Sequence, residues 1–202
     1  MFLGEHECWT KHTNFELGTL APMMIHDPDI TKTGLVVERL TEFVDLFPTL
    51  VELAGFPPLN VCPENSSKIE LCTEGMSMVP LMKDPISAQW KTGAFSQYPR
   101  CKPGHPPSKN SHKMCHQVKK YKSDTIMGYT VRTERFRYTE WVRFSLKPSY
   151  KIHWGDVRAT ELYDHDNDPQ EDFNLVDESS FKSDVEAMSE ILRGGWRNTL
   201  PR

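Results

Sequence analysis

No apolar run in this chain approaches the roughly 20 residues that a membrane-spanning helix needs, so no membrane span is expected. The opening Met1-Phe2-Leu3-Gly4-Glu5-His6 lacks the apolar core of a secretory signal peptide, which taken literally places the chain in the cytosol. An excess of positive charge is missing too. The formal net charge of −4 argues against general nucleic-acid binding. There is no internal repeat. What is present is ordinary for a folded chain: 202 residues, 38% hydrophobic and 26% charged, enough for one domain or a domain and a half with a real core.

The strongest periodicity lies at 126–144. Tyr129, Val131 and Thr133 alternate with Thr130 and Arg132; beyond a turn near Glu134, Phe136, Tyr138, Val142 and Phe144 alternate with Arg137, Thr139, Trp141 and Arg143. A period of two in β-branched and aromatic residues predicts an antiparallel hairpin. Its aromatic face packs on something, and its Arg-rich face points outward or meets anions. Glu161 to Asp164 predicts a third strand, ended by Asn167-Asp168-Pro169. The short run Met23-Met24-Ile25, between Pro22 and His26-Asp27-Pro28, predicts a buried strand.

Two helices are expected. Leu40, Phe43, Val44, Phe47, Leu50, Val51 and Ala54 recur at helical spacing, with Thr41 as cap, Gly55 as stop, and Pro48 kinking or dividing the helix. Full burial of each large side chain would contribute about 1.5–3 kcal/mol, which makes this a core element. In the second helix, 183–193, Ser183 is the expected cap and Gly194 the stop. Its stripe of Val185, Met188, Ile191 and Leu192 should lie across the sheet. Met76 and Met78 read as core fillers.

Cys62 and Cys72 bracket a polar loop containing Asn65-Ser66-Ser67, an acceptor pattern for N-glycosylation. They read equally as a bridge, contributing roughly 2–3 kcal/mol by restricting the unfolded chain, or as two reduced thiols. Residues 100–122 form a basic insert with seven Lys or Arg, three His and no acid. It is a surface loop, either simply solvated or drawn to a polyanion such as a sulfated glycan. Cys101, His105, His112, Cys115 and His116 match no standard zinc spacing, and a Cys101–Cys115 disulfide is the better reading in an oxidising compartment. Cys8, between His6 and His12, has no identifiable orienting partner for a thiol nucleophile. Asp164, Asp166, Asp168, Glu171 and Asp172 lack the order of a calcium loop and read as a solvated acidic turn.

The wording of these segments resembles the sulfatase family. Gly128-Tyr129 with Arg132-Thr133, then Glu161-Leu162-Tyr163-Asp164 and Asp168-Pro169, is similar to the hairpin and following segment near the end of sulfatases. Asp45-Leu46-Phe47-Pro48-Thr49-Leu50 has a similar counterpart there. Ser96-Gln97-Tyr98-Pro99-Arg100 and Ile126-Met127 bring the likeness closer to the branch that removes 2-O-sulfate from iduronate in heparan and dermatan sulfate. Leu3-Gly4-Glu5-His6, Trp9, Lys11 and Asn14-Phe15 resemble the segment whose lysine binds the sulfate group.

The resemblance implies an α/β fold, the C-terminal part of the sulfatase (alkaline-phosphatase-like) architecture. Residues 1–90 would be the end of the main domain. Residues 91–202 would form a subdomain with an antiparallel sheet, the basic loop 100–122 and the helix 183–193. It implies that Lys11 binds sulfate and that His6 supports the loop or touches substrate. His12, and Lys109 in the basic insert, are further substrate-binding candidates. It favours the Cys62–Cys72 disulfide and a lysosomal or secretory compartment. The parent family uses Ca²⁺, whose aspartate and Asp-His ligands would precede Met1, and no metal ligands are assigned here. The C-x-P-S-R nucleophile motif is likewise missing, since Cys101-Lys102-Pro103 lacks its Ser and Arg. Glu7 stands where the family's His-Gly-Glu-Trp has glycine, which implies strain if that position needs a positive φ. Leu20 replaces a histidine. The chain alone is therefore expected to be inactive, and to need the rest of a sulfatase, for example as a separate N-terminal chain. The alternative is a non-catalytic sulfated-glycan-binding module or pseudoenzyme. A third reading is a truncated product that exposes an apolar face.

Overall fold

The structure, a computed structural model, describes residues 2–32, 34–100, 125–145 and 150–201. Lys109, the zinc-like set and the Cys101–Cys115 pairing lie outside the described residues. In chain order the elements are β1 (Phe2–Leu3), β2 (Trp9–Thr10), α1 (Glu16–Thr19), α2 (Leu46–Leu53) and α3 (Val79–Lys83). There follow β3 (Ala94–Arg100), β4 (Thr125–Arg132), β5 (Phe136–Ser145), β6 (Lys151–Asp164) and α4 (Lys182–Gly194). They divide into one unit of residues 1–21 and 95–198 and another of 22–94 and 199–202. Residues 1–21 thus belong with the sheet rather than with 22–90, because bonds spanning more than a hundred residues of sequence fasten them there, such as Asn14 Nδ2 donating to the Gly128 carbonyl at 3.1 Å.

The first unit is built on a four-stranded sheet in the order β3-β4-β5-β6. The expected hairpin is β4 and β5, antiparallel and in register from Thr125↔Phe144 to Arg132↔Arg137. The third strand is far longer than expected, running from Lys151 to Asp164 against β5 with irregular register around Val142. None of its first ten residues is buried and five are exposed, so burial imposes no apolar alternation there and only the ladder reveals the strand. On one face, Val131, Phe136, Tyr138 and Leu162 pack against Met188 and Leu192 of α4, with Val185 and Ile191 beside them. The stripe therefore lies on the sheet as expected. Its helix starts one residue earlier than expected: Phe181 holds the cap position with no side-chain bond, and Gly195, at φ 75°, follows the last turn.

A buried carboxylate also fastens α4. Glu140, 1% exposed, accepts from Ser189 Oγ at 2.7 Å, Tyr138 at 3.1 Å and Arg193 at 2.8 Å. Every acceptor need is met, so burial of the charge is tolerated. Burial and the Glu140 charge together push the Tyr138 phenol up to about 12.

The second unit differs most from expectation. Phe43–Asp45 forms a 3-10 turn, and α2 follows without a kink because Pro48 falls in its first turn, where the missing N–H costs nothing. Asp45, rather than Thr41, closes the N-terminus by accepting from the Glu42 amide at 2.7 Å. Gly55 ends the helix at φ 77°, a conformation glycine adopts without a Cβ penalty. Yet α2 buries only Pro48 and Thr49, and Phe43, Phe47 and Leu50 stand exposed. Met23 and Met24 are exposed coil, and of that run only Ile25 reaches the core. The expected buried strand is absent among the described residues, since no neighbouring strand pairs with it. The core here is Met78, Leu81 and Trp90, with Met76 beside them as a filler. It is braced by the buried Lys91 ammonium, 2.6 Å from both Glu42 and Asp45. Cys62 and Cys72 form a disulfide with Cα atoms 4.9 Å apart.

Replacing Glu140 with Gln should lower the stability of the sheet unit by about 1.5–3 kcal/mol, because Arg193, Ser189 and Tyr138 lose a charged acceptor. The check is a lower urea midpoint with an unchanged m-value.

Candidate functional site

The segment 2–20 lies on the sheet face opposite α4. Phe2, fully buried, packs edge-on to His6, and the His6 ring stacks on Phe15 with centroids 4.1 Å apart. Phe15 in turn meets Tyr163 of β6 at 5.7 Å. Together with the Asn14 bond to β4, these contacts place the aromatic anchors of the segment across the sheet.

Between them sits a buried ionic cluster. Arg137 of β5 is 3% exposed along its side chain and donates from Nε to Glu171 at 2.5 Å and from its terminal nitrogen to Glu16. Glu171 also accepts from His165 Nε2 at 2.8 Å and, through its second oxygen, from the Glu16 backbone amide at 2.7 Å. Arg132 reaches His165 Nδ1 at 2.8 Å, so His165 accepts on one side and donates on the other. Each charge has an opposite partner and hydrogen bonds at short range, which is the condition for ions to be buried. The Arg-rich face of the hairpin therefore meets anions, and they are the protein's own carboxylates.

The acidic turn is corrected in consequence. Glu171 and Asp164 are both 1% exposed. Asp164 receives a two-pronged bond from Arg135 at 2.9 and 2.7 Å and a third from Asn167 at 2.9 Å. The Arg135 bonds, with those from Asn167 and the Asp166 amide, hold the Asp164 carboxyl down at about 2. Burial pushes Glu171 up, but the His165 bond, the Arg137 charge and the Glu16 amide outweigh it, and its carboxyl titrates below the ordinary value. Sequence alone shows neither partner, since Arg135 and Arg137 are nearly thirty residues or more away. Glu16, His165 and Glu171 offer ligand atoms within 4.8 Å of one another. They do not fit a divalent cation such as Ca²⁺, because the Arg137 guanidinium bonds to both carboxylates and Arg132 bonds to Glu16 and His165.

The residues singled out from sequence fall on this segment. Gly4 to Cys8 make the tight connection between β1 and β2, with the Cys8 amide donating to the Glu5 carbonyl at 2.9 Å. Glu7 adopts φ 55° and His6 φ 51°, so the position where the family places glycine is held in the left-handed region by a residue that pays a steric penalty for it. His6 is half-buried, and its Nε2 donates to the Gln170 carbonyl at 2.9 Å. Lys11 follows β2 and is exposed; among the described residues its ammonium forms no salt bridge or hydrogen bond. His12 is exposed beside Tyr98, with centroids 6.2 Å apart. Burial raises the Tyr98 phenol, Arg100 lowers it and the neighbouring Cys8 raises it further. Cys8 is a free, half-buried thiol.

A further candidate lies on the same face. Glu161 shares the sheet face of Tyr163 and Arg137, as the register Arg137↔Tyr163 and Thr139↔Glu161 requires. One of its oxygens accepts from Trp141 Nε1 at 3.0 Å, and burial raises its carboxyl. Trp141 lies flat over Gly128, where a Cβ would fall 2.6 Å from the ring, and Arg100 stacks on it at 5.3 Å. The two-residue period places Glu161 on this face, but the motif Glu-Leu-Tyr-Asp reads only as a strand.

Comparison with known proteins follows the same lines. A family profile described as "N-sulphoglucosamine sulphohydrolase, C-terminal" matches residues 4–195. Iduronate 2-sulfatase of Mus musculus is 34% identical over 211 residues, covering 88% of this chain and 36% of its own length. The Homo sapiens iduronate 2-sulfatase is 34% identical over 209 residues, with the same shares. Among solved structures, the phosphonate monoester hydrolase of Agrobacterium radiobacter gives a TM-score of 0.48 at 22% identity, over 80% of this chain and 26% of that one. The chain thus spans little more than a third of the length of the curated relatives it matches.

Asp164 and Glu171 titrate lower in the folded state than their unfolded values of 3.8 and 4.5. Their contribution to stability is present above those values and is lost as pH falls, for Asp164 through about 2. The denaturation midpoint of the sheet unit should accordingly be steady down to about pH 5 and fall below it. The pair Asp164→Asn and Glu171→Gln should start lower and show a shallower fall, read by denaturant titration at each pH.

Proposed function

The chain belongs to the sulfatase family, matching its C-terminal region, and from that premise we propose that it supplies one wall of a sulfuric ester hydrolase site. The substrate class is a sulfated glycosaminoglycan, with 2-O-sulfated iduronate as the group acted on. The observation that carries this reading is Lys11: an exposed ammonium, unengaged among the described residues, on a segment whose base is clamped by buried ion pairs.

A lysine so placed neutralises charge on the non-bridging sulfate oxygens as the ester S–O bond breaks, without reorganising to do so. His6 holds the loop through its Phe15 stack and its bond to Gln170 rather than by touching substrate. His12 with Tyr98 borders the sugar, and Lys109 is a further cation for the uronate or a neighbouring sulfate. No residue of this chain is assigned as the attacking nucleophile or as a metal ligand, so residues 1–202 alone are inactive. The Cys62–Cys72 disulfide fits an oxidising, lysosomal or secretory setting. In that setting Asn65, exposed and already accepting from Ser67 Oγ at 2.7 Å, is the glycosylation acceptor.

The test pairs turnover with binding. The purified chain should release no sulfate from a 2-O-sulfated uronate disaccharide, with or without Ca²⁺. It should nevertheless bind that disaccharide better than the desulfated one, and Lys11→Ala should weaken binding about tenfold, roughly 1.4 kcal/mol. Equal binding by Lys11→Ala, or turnover by the chain alone, contradicts the reading. Heparin retention lost on neutralising Lys119 and Lys120 but unaffected at Lys11 would instead favour a glycan-binding module.

A further inference from the structure

Two uncommitted guanidiniums stand on the segment-bearing face of the sheet, beyond the ionic cluster. Along β5 this face carries Arg137, Thr139, Trp141 and Arg143 in turn, of which Arg137 and Trp141 are already engaged. Gly128 of β4 lies opposite Trp141, and with no Cβ there the indole lies across that strand. The ring thereby reaches Arg100 of the next strand, β3, whose guanidinium carbon is 5.3 Å from its centroid. Arg100 is exposed and, among the described residues, makes no salt bridge or hydrogen bond. Arg143 follows Trp141 by two residues. Its Nε is sealed from solvent with no hydrogen-bond partner among the described residues. The ion pair it makes with Asp156 is long, at 4.0 Å, and Arg158 already holds that carboxylate at 2.8 Å.

Arg137, on the same strand, is matched by two carboxylates, and these two arginines are not. Arg100 is preset by its indole stack, so little freedom is lost when its terminal nitrogens fork onto an oxyanion. Arg143 can swing onto the same anion without breaking a close bond, and the swing gives its orphan donor an acceptor. The rival carboxylate is Glu161. Burial raises its carboxyl more than the Trp141 bond and the Arg100 charge lower it, which makes it a weak competitor. The place relative to Lys11 follows from β3: Tyr98 rests against His12, and Arg100 lies one side-chain repeat further along the same face, about 7 Å away. We propose that Arg100 and Arg143, grouped about Trp141, form a second anion subsite, taking an oxyanion of the saccharide unit next to the one whose ester faces Lys11. This deepens the glycan reading of Lys11 and rests on it for where the ligand lies. A ligand one repeat long ends at Lys11 and His12, so the subsite acts on longer chains.

Calorimetric titration of the full chain with a heparin-derived tetrasaccharide, and with the 2-O-sulfated uronate disaccharide, tests the subsite. Arg100→Gln and Arg143→Gln should each weaken tetrasaccharide binding about fivefold, while disaccharide binding changes less than about twofold. Lys182→Gln, which removes an exposed charge from α4, should change neither. If Arg100→Gln loosens Trp141 and lowers the thermal midpoint, Arg143→Gln, whose guanidinium forms no close bond, carries the test alone. A loss that persists with the desulfated tetrasaccharide assigns the bound group as a carboxylate, and one confined to the sulfated form assigns it as a sulfate. Tetrasaccharide affinity unchanged by Arg143→Gln, or lowered no more than by Lys182→Gln, overturns the proposal. An equal loss for the disaccharide also overturns it, since the pair would then sit at the Lys11 ester itself. Lys11→Ala without effect on the disaccharide is a separate result, the failure of the Lys11 reading, and the same titrations distinguish the two.

Discussion

The buried guanidinium of Arg137, shared between Glu16 and Glu171, is the constraint on which the sheet unit depends. It joins three stretches of chain that are far apart in sequence: the start of α1, the middle strand β5 and the turn after β6. A buried ion pair adds little net stability over an apolar replacement, but removing one partner from such a set costs about 3–5 kcal/mol, because the charge left behind cannot be hydrated. The cluster therefore acts as a register device. The segment 2–20 has one place to lie, with Phe15 against Tyr163 and Asn14 against Gly128, and a displaced segment would leave buried charges unpaired.

The two faces of the sheet consequently do different work. The α4 face is an apolar core with one carboxylate, Glu140, which locks the helix through Ser189 and Arg193. The opposite face is polar and strained. Among the described residues the three non-glycine positions with positive φ, His6, Glu7 and Glu171, belong to the segment or to the turn that clamps it. Such conformations cost of order 1–3 kcal/mol each and persist only where the surroundings over-determine them. Here they are over-determined by the Phe15 stack, the Gln170 carbonyl and the ionic cluster, and Lys11 stands just past the strained loop.

How much of this was legible follows from what leaves a periodic trace. The β4–β5 hairpin and the α4 stripe were plain, because one face of each is packed and the other is not. The exposed part of β6 left no trace, its residues being defined by ladder bonds alone. For α2 the helical period is genuine but burial does not follow from it: Phe43, Phe47 and Leu50 have core spacing and stand exposed among the described residues. Periodicity reports that a face is meant to be covered, not what covers it. The acidic turn failed for the opposite reason, since the partners of Asp164 and Glu171 are arginines of the β4–β5 turn and of β5. Lys11, His6 and His12 were found through the resemblance, and their residue types alone would have singled out none of them.

The central claim is that the Arg137 cluster, rather than the apolar contacts, fixes the segment bearing Lys11. Hydrogen–deuterium exchange on the Arg137→Met variant tests it most directly, since methionine keeps the apolar stem and removes the charge. The account predicts faster exchange confined to residues 13–20 and 165–171, with β4, β5 and α4 still protected. Unchanged protection of 13–20 would contradict it.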